Sequence, residues 1–200
     1  MPNPYIEAIQ KRRTIYSLGR NLSQTEDHLA EVIKSAVRES PSAFNSQSTR
    51  VAILFDNAHK QLWTIVNDEL RGRVKDETAW RNTETKIAAF NAALGTVLFF
   101  EDQDVVKALQ EKFPSYADKF PTWSEHAHGI AAHNVWAALA QEGIGASLQH
   151  YNPIIDEDVA RTFNIPPSWS LRAEMPFGSI EGPASDKTYM PDEDRFRIFK

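Results

Sequence analysis

Gly95-Thr96-Val97-Leu98-Phe99-Phe100 is a nearly continuous apolar run, interrupted only by Thr96, and short enough to read as a buried strand. Arg50-Val51-Ala52-Ile53-Leu54-Phe55 reads the same way. Between them, Asp56-Asn57 is expected to cap a helix through Leu62, Ile65, Val66 and Leu70, and Ile87 to Ala93 reads as helical. Downstream, Asp102 to Phe113 reads as a helix ended by Pro114. Ser124 to Gln141 is the longest helical candidate and is rich in alanine. Its residues Ile130, His133, Asn134, Ala137, Ala138 and Gln141 mark a close-packing face, and Gly143 and Gly145 end it. Asp156 to Phe163 is a further helix. Leu171-Arg172-Ala173-Glu174-Met175-Pro176 alternates like a strand, and so does Arg195-Phe196-Arg197-Ile198-Phe199.

Upstream, Pro4 to Lys11 reads as a short helix with Tyr5, Ile6 and Ile9 on one face. Ser23-Gln24-Thr25-Glu26 resembles a capping box opening a helix through Leu29, Val32, Ile33, Ala36 and Val37. Pro41 stops that helix. Four strands interleaved with helices predict an α+β sandwich in one domain, residues 1–200. The Gly/Pro/Ser-rich segment Gly182 to Pro191 sets the last strand apart as an arm able to pack on a neighbouring subunit.

The chain has 200 residues, enough for one sizeable core, and its hydrophobic share of 42% is that of a globular protein. A net charge of -5 gives no overall support to nucleic-acid binding. The absence of cysteine excludes disulfides, thiolate metal sites and cysteine nucleophiles, and suits a reducing cytosol. Met1-Pro2-Asn3-Pro4-Tyr5 lacks a charged start followed by an apolar run, so no secretory signal is expected. No apolar stretch approaches the roughly 20 residues that span a bilayer. The expectation is a soluble, cytoplasmic protein.

Three segments carry candidate chemistry. Lys11-Arg12-Arg13-Thr14 sets three cations and a hydroxyl side by side in an acidic chain. Guanidinium forks meet a phosphate bidentately, although a solvated helix end has the same composition. Ser40-Pro41-Ser42-Ala43-Phe44-Asn45-Ser46-Gln47 combines a turn with carboxamides, which offer both donor and acceptor to a heterocycle edge. Gly143-Ile144-Gly145-Ala146-Ser147-Leu148-Gln149-His150 allows close backbone approach. It follows a helix and lacks G-x-G-x-x-G, which disfavours a Rossmann site. His126, His128 and His133 do not give the i,i+4 pair of a helical zinc site, and no metal is expected. Asp192-Glu193-Asp194 reads as a solvated turn. Of the five tryptophans, Trp63, Trp136 and Trp169 read as core or lid, while Trp80 and Trp123 are the ones that could border a pocket. Neither a G-x-S-x-G elbow nor a Walker sequence is present.

Taken in order, these segments resemble the nitroreductase family of flavoproteins, in its compact bacterial and fungal branch linked to oxidative stress. The landmarks are Arg12-Arg13-Thr14, Ser40 to Gln47, the Ala-rich helix running into Gly143 to Pro153, Met175-Pro176-Phe177-Gly178, and Lys187. The resemblance implies an α-β-α sandwich with a mainly antiparallel sheet, and a homodimer binding FMN at the subunit interface. Arg12, Arg13, Thr14 and Lys187 would hold the phosphate and ribityl chain. Ser42, Asn45 and Gln47 would reach the flavin bound by the partner. Leu148, Gln149 and His150 would lie beside the ring. The implied reaction is ping-pong: NADH or NADPH reduces the flavin, then a nitroaromatic or quinone takes the electrons, with no catalytic acid from the protein. Many relatives carry basic residues where this chain has Tyr16 and Tyr189; Lys86 is a candidate substitute. That difference also fits a slow or non-catalytic flavin-binding regulatory protein. A third possibility is a scaffold without cofactor.

Overall fold

The computed structural model describes residues 3–200; Met1 and Pro2 lie outside the described residues. The helices are α1 (Pro4–Lys11), α2 (Glu26–Arg38), α3 (Asp56–Arg73), α4 (Glu77–Asn91), α5 (Gln103–Lys112), α6 (Phe120–Gln141), α7 (Asp156–Phe163) and α8 (Asp192–Arg195). The strands are β1 (Leu18–Gly19), β2 (Thr49–Phe55), β3 (Gly95–Asp102), β4 (Gly145–Ala146) and β5 (Trp169–Ile180). The sheet order is β1-β5-β3-β2, with β4 also on β5, and every ladder is antiparallel.

β3 lies inside the sheet, and all eight of its residues are buried. Successive side chains point to opposite faces of a strand, so a nearly continuous apolar run suits a strand covered on both sides. Val97 and Phe99 pack with Leu29 and Ile33 of α2 and Val135 and Leu139 of α6. Leu98 and Phe100 pack with Leu62 and Trp63 of α3, Phe90 of α4 and Val159 of α7. The result is an α-β-α sandwich. β2 is the far edge of the sheet and mostly half-buried, although its composition matches that of β3.

A bulge decides what β5 presents. Val97 faces Met175 and Phe99 faces Ala173, but Phe100 faces Leu171, so the register shifts by one residue. A bulge reverses which face the following residues serve. Arg172 turns outward to Glu125 at 2.7 Å. Glu174, opposite Leu98 in regular register, is fully buried.

Several local expectations are corrected. The N-cap of α2 is Thr25, which accepts the His28 N–H at 3.2 Å; Ser23 bonds instead to the neighbouring Gln24. Asp56 does not cap α3: it is the first helical residue, at φ 45°, and no side chain caps that end. Helix α4 starts ten residues before Ile87, at an Asp76 cap that the polar stretch concealed. The expected strand Arg195 to Phe199 is absent. α8 takes its first residue, and Ile198 and Phe199 lie exposed with no ladder partner. An alternating pattern makes a strand only where a sheet edge receives it. Among the described residues no helix is long and apolar enough to cross a membrane.

Candidate active site

The core of the site is helix α6, which packs against α1, α2, α5 and the sheet through Ala127, Ala131, Val135 and Leu139 while Glu125, His126, Gly129 and Ile130 stay exposed. Gly143, at φ +76°, reverses the chain beyond its C-cap Glu142. The chain then returns along β5: Gly145 pairs with Gly178, Ser147 N–H reaches Pro176 at 3.2 Å, and Gln149 N–H reaches Glu174 at 2.7 Å. A Cβ on Gly145 would stand 2.9 Å from both Leu18 and Ile180, so only glycine admits this closeness. On the other side of this segment runs the early basic stretch. Thr14 bridges Ala146, and the Ile15 N–H donates to the Ala146 carbonyl at 2.9 Å. Two sequence landmarks more than a hundred residues apart thus lie side by side.

Their junction opens into a cavity of about 880 Å³, within the size of small-molecule sites. Arg12, Thr14, Leu148 and Lys187 all line it. Its α6 wall is His128, Gly129, Ala132, His133 and Trp136, and its rim comes from the C-terminal segment. The Arg12 guanidinium lies 4.4 Å from the Trp136 ring centroid. Burial, and then the neighbouring Arg13 charge, lower its pKa. Among the described residues no carboxylate pairs with Arg12, Arg13 or Lys187. Of the charged residues lining the cavity, Arg12, Lys187 and Arg195 are cations and Asp192 is the single carboxylate. A half-buried cation without a counterion favours an anionic ligand.

The other sequence candidates fall elsewhere. Arg13 points away from Arg12, as alternate residues of an extended chain do, and donates to the Ser185 carbonyl. Gln149 is buried in its ladder with Glu174, and His150 is exposed at the end of that segment. Neither lines the cavity. Ser42 and Gln47 line a second, polar cavity of about 410 Å³ with Arg38 and Arg50, against Ala127 and Ala131 on the opposite flank of α6. Asn45 lies in the same loop, where Phe44, Asn45 and Gln47 all adopt positive φ. The loop therefore does not reach the first cavity within one chain. Tyr16 is exposed and tilted against Phe90 at 6.3 Å, and Lys86 lies 5.6 Å from that same ring. Tyr189 lines the cavity under Lys187, whose ammonium is 4.9 Å from its ring.

Sequence reasoning missed Trp136, His128 and Gly129. Trp80 is core; Trp123 borders a separate cavity with Phe44, Ser42 and Ile130, as the sequence allowed, whereas Trp136 walls the main one. The available signal was spacing: 128, 132 and 136 recur every four residues, with 129 and 133 beside them.

The nitroreductase family model matches residues 9–179. Nitroreductase CinD from Lactococcus lactis, solved with nicotinic acid, is 54% identical, with a TM-score of 0.91 over 98% of this chain and 100% of that one. The same protein was solved with 4-nitrophenol, at a TM-score of 0.90. HBN1 of Saccharomyces cerevisiae is 35% identical over 191 residues, 94% of each chain. A nitroreductase with bound FMN from Desulfitobacterium hafniense shares the fold, with a TM-score of 0.72 at 16% identity over the whole of both chains. With the fold, the cavity and these matches in agreement, the chain belongs to the nitroreductase family.

Proposed function

We propose that this protein is an FMN-dependent oxidoreductase that passes electrons from NADH or NADPH to a nitroaromatic or quinone acceptor. The observation that carries the reading is the meeting of Arg12, Thr14, Leu148 and Lys187, distant in sequence, on one cavity with an uncompensated guanidinium. The residues present fit the cofactor. Arg12 and Lys187 supply charge for a phosphate, and Thr14 supplies a hydroxyl. Trp136, Leu148 and Ile9 supply apolar walls for a flat ring, and Gly129 leaves open space beside it. The indole nitrogen of Trp136, on the same wall, has no partner among the described residues.

Bound FMN would supply the two-electron chemistry. The chain's part is to bind and to orient. Arg12 anchors the anionic end, and Trp136, in contact with Arg12, fixes that guanidinium's plane. Donor and acceptor would occupy the remaining space in turn, which is the basis of ping-pong kinetics. CinD's complexes with nicotinic acid and 4-nitrophenol support flat aromatic molecules as the class admitted. A homodimer fits the placement of Ser42, Asn45 and Gln47: across α6 from the cavity, they would serve the partner's flavin.

The test is optical. The purified protein, loaded with FMN, should show a flavin spectrum that bleaches anaerobically with NADH or NADPH and returns when a quinone or nitroaromatic is added. A protein that takes up no FMN would refute the reading. Flavin uptake without turnover would favour a slow flavin-binding regulatory protein, the reading that the uncharged Tyr16 and Tyr189 support.

A further inference from the structure

His128 is a polar side chain in the cavity wall that neither the family landmarks nor the phosphate end explains. It sits on α6 one turn before Ala132 and two before Trp136, and its ring packs edge-to-face on Phe99 at 5.8 Å. That contact fixes the imidazole plane. Of its two nitrogens, only Nδ1 is sealed from solvent without a partner. A proton there would be an orphaned buried donor, which folded proteins almost never tolerate. Burial also lowers the pKa of the ring, ahead of the opposing pull of Glu125, so a second proton is disfavoured. A neutral imidazole with a bare Nδ1 carries its proton on Nε2. Nε2 is the nitrogen left accessible on a residue that lines the cavity.

We propose that His128 is a cofactor-contacting residue, donating its Nε2–H to an electron-rich atom of the flavin ring and thereby stabilising negative charge that grows there on reduction. This rests on the FMN reading above. It also answers a question raised by Tyr16 and Tyr189: no cation is presented where many relatives have one, and a neutral donor held rigidly in a low-dielectric wall takes over that task.

The experiment compares wild type, His128→Leu and His128→Gln as full-length proteins. The amide nitrogen of glutamine reaches the place of Nε2, whereas leucine removes the donor. Stripped protein is titrated with FMN by fluorescence quenching, and the midpoint potential of each reloaded protein is measured against a reference dye. Loss of one hydrogen bond should weaken FMN binding about fivefold in His128→Leu. It should also move the potential to a more negative value, because the reduced state loses more. His128→Gln should bring both quantities back toward wild type, which a merely structural role for the imidazole would not do. Unchanged affinity and potential in His128→Leu would overturn the proposal and leave the FMN reading standing. Failure of wild type to bind FMN would overturn both. Should the variants misfold, imidazole 15N spectra of wild type decide: an Nδ1-protonated ring at neutral pH refutes the assignment.

Discussion

Replacing Glu174 by glutamine should remove a large pH-dependent contribution to stability between pH 4.5 and about 8. Glu174 has no exposed surface. One carboxyl oxygen accepts the Tyr151 N–H at 2.9 Å, and the other has no partner. Burial pushes its pKa from 4.5 up to about 8; the Tyr151 N–H opposes this and the Asp156 charge reinforces it. In the unfolded chain the carboxyl ionises near 4.5, whereas the folded protein keeps its proton to about 8. Folding therefore takes up a proton between those values, and raising the pH favours unfolding. The contribution is complete below pH 4.5 and lost as pH climbs to about 8. The loss totals about 5 kcal/mol, of which about 3 kcal/mol has gone by pH 7. Glutamine keeps an acceptor for Tyr151 and never ionises. Its extra unpaired N–H costs about 1–3 kcal/mol, equally at every pH. The measurement is urea unfolding of both proteins from pH 5 to 8.5, read by the fluorescence of Trp63, whose ring lies 5.9 Å from Tyr151. The stability difference should move in favour of Glu174→Gln by about 1.4 kcal/mol per pH unit and level off above pH 8. A difference that stays flat across this range would refute the argument.

Other consequences concern the cavity and its frame. Arg12→Ala should weaken FMN retention about 10- to 100-fold, the worth of a charge-assisted contact, as read by fluorescence titration. Full flavin occupancy in the purified variant would remove Arg12 from the site. Gly129→Leu should separate stability from binding. No atom lies within 4 Å of a Cβ there, so the helix gains up to about 1 kcal/mol while the side chain fills the cavity. Thermal unfolding should shift upward and flavin uptake should fail; normal uptake would show that Gly129 does not face the ligand. Gly178→Ala should destabilise the fold by about 1–3 kcal/mol, since its Cβ would stand 2.1 Å from the Gly19 carbonyl oxygen and 3.0 Å from the Leu94 nitrogen. Denaturant titration checks this, and a neutral result would mean that the β1–β5 pairing yields readily.

The sandwich was legible in local pattern. The run through Gly95 to Phe100 could not be satisfied with one face in water, and it became the strand covered on both sides. The residue types around Arg12 and Leu148 likewise announced an anion and a close backbone approach. Tertiary structure decided the rest, because each remaining feature depends on a distant partner. The bulge opposite Phe99 and Phe100 moved Leu171 to the face of Leu98 and Phe100, while Glu174, in register with Leu98, is buried because helices cover both faces of the sheet, which the alternation of β5 could not reveal. The tail from Arg195 had strand periodicity but pairs with no strand of its own chain. Arg12 and Arg13, identical in type and adjacent in sequence, diverged to the cavity and to Ser185, since an extended backbone sends neighbours to opposite sides. His128 became a candidate donor only when packing left its Nδ1 buried without a partner. Periodicity states which residues share a face; only packing states what that face meets.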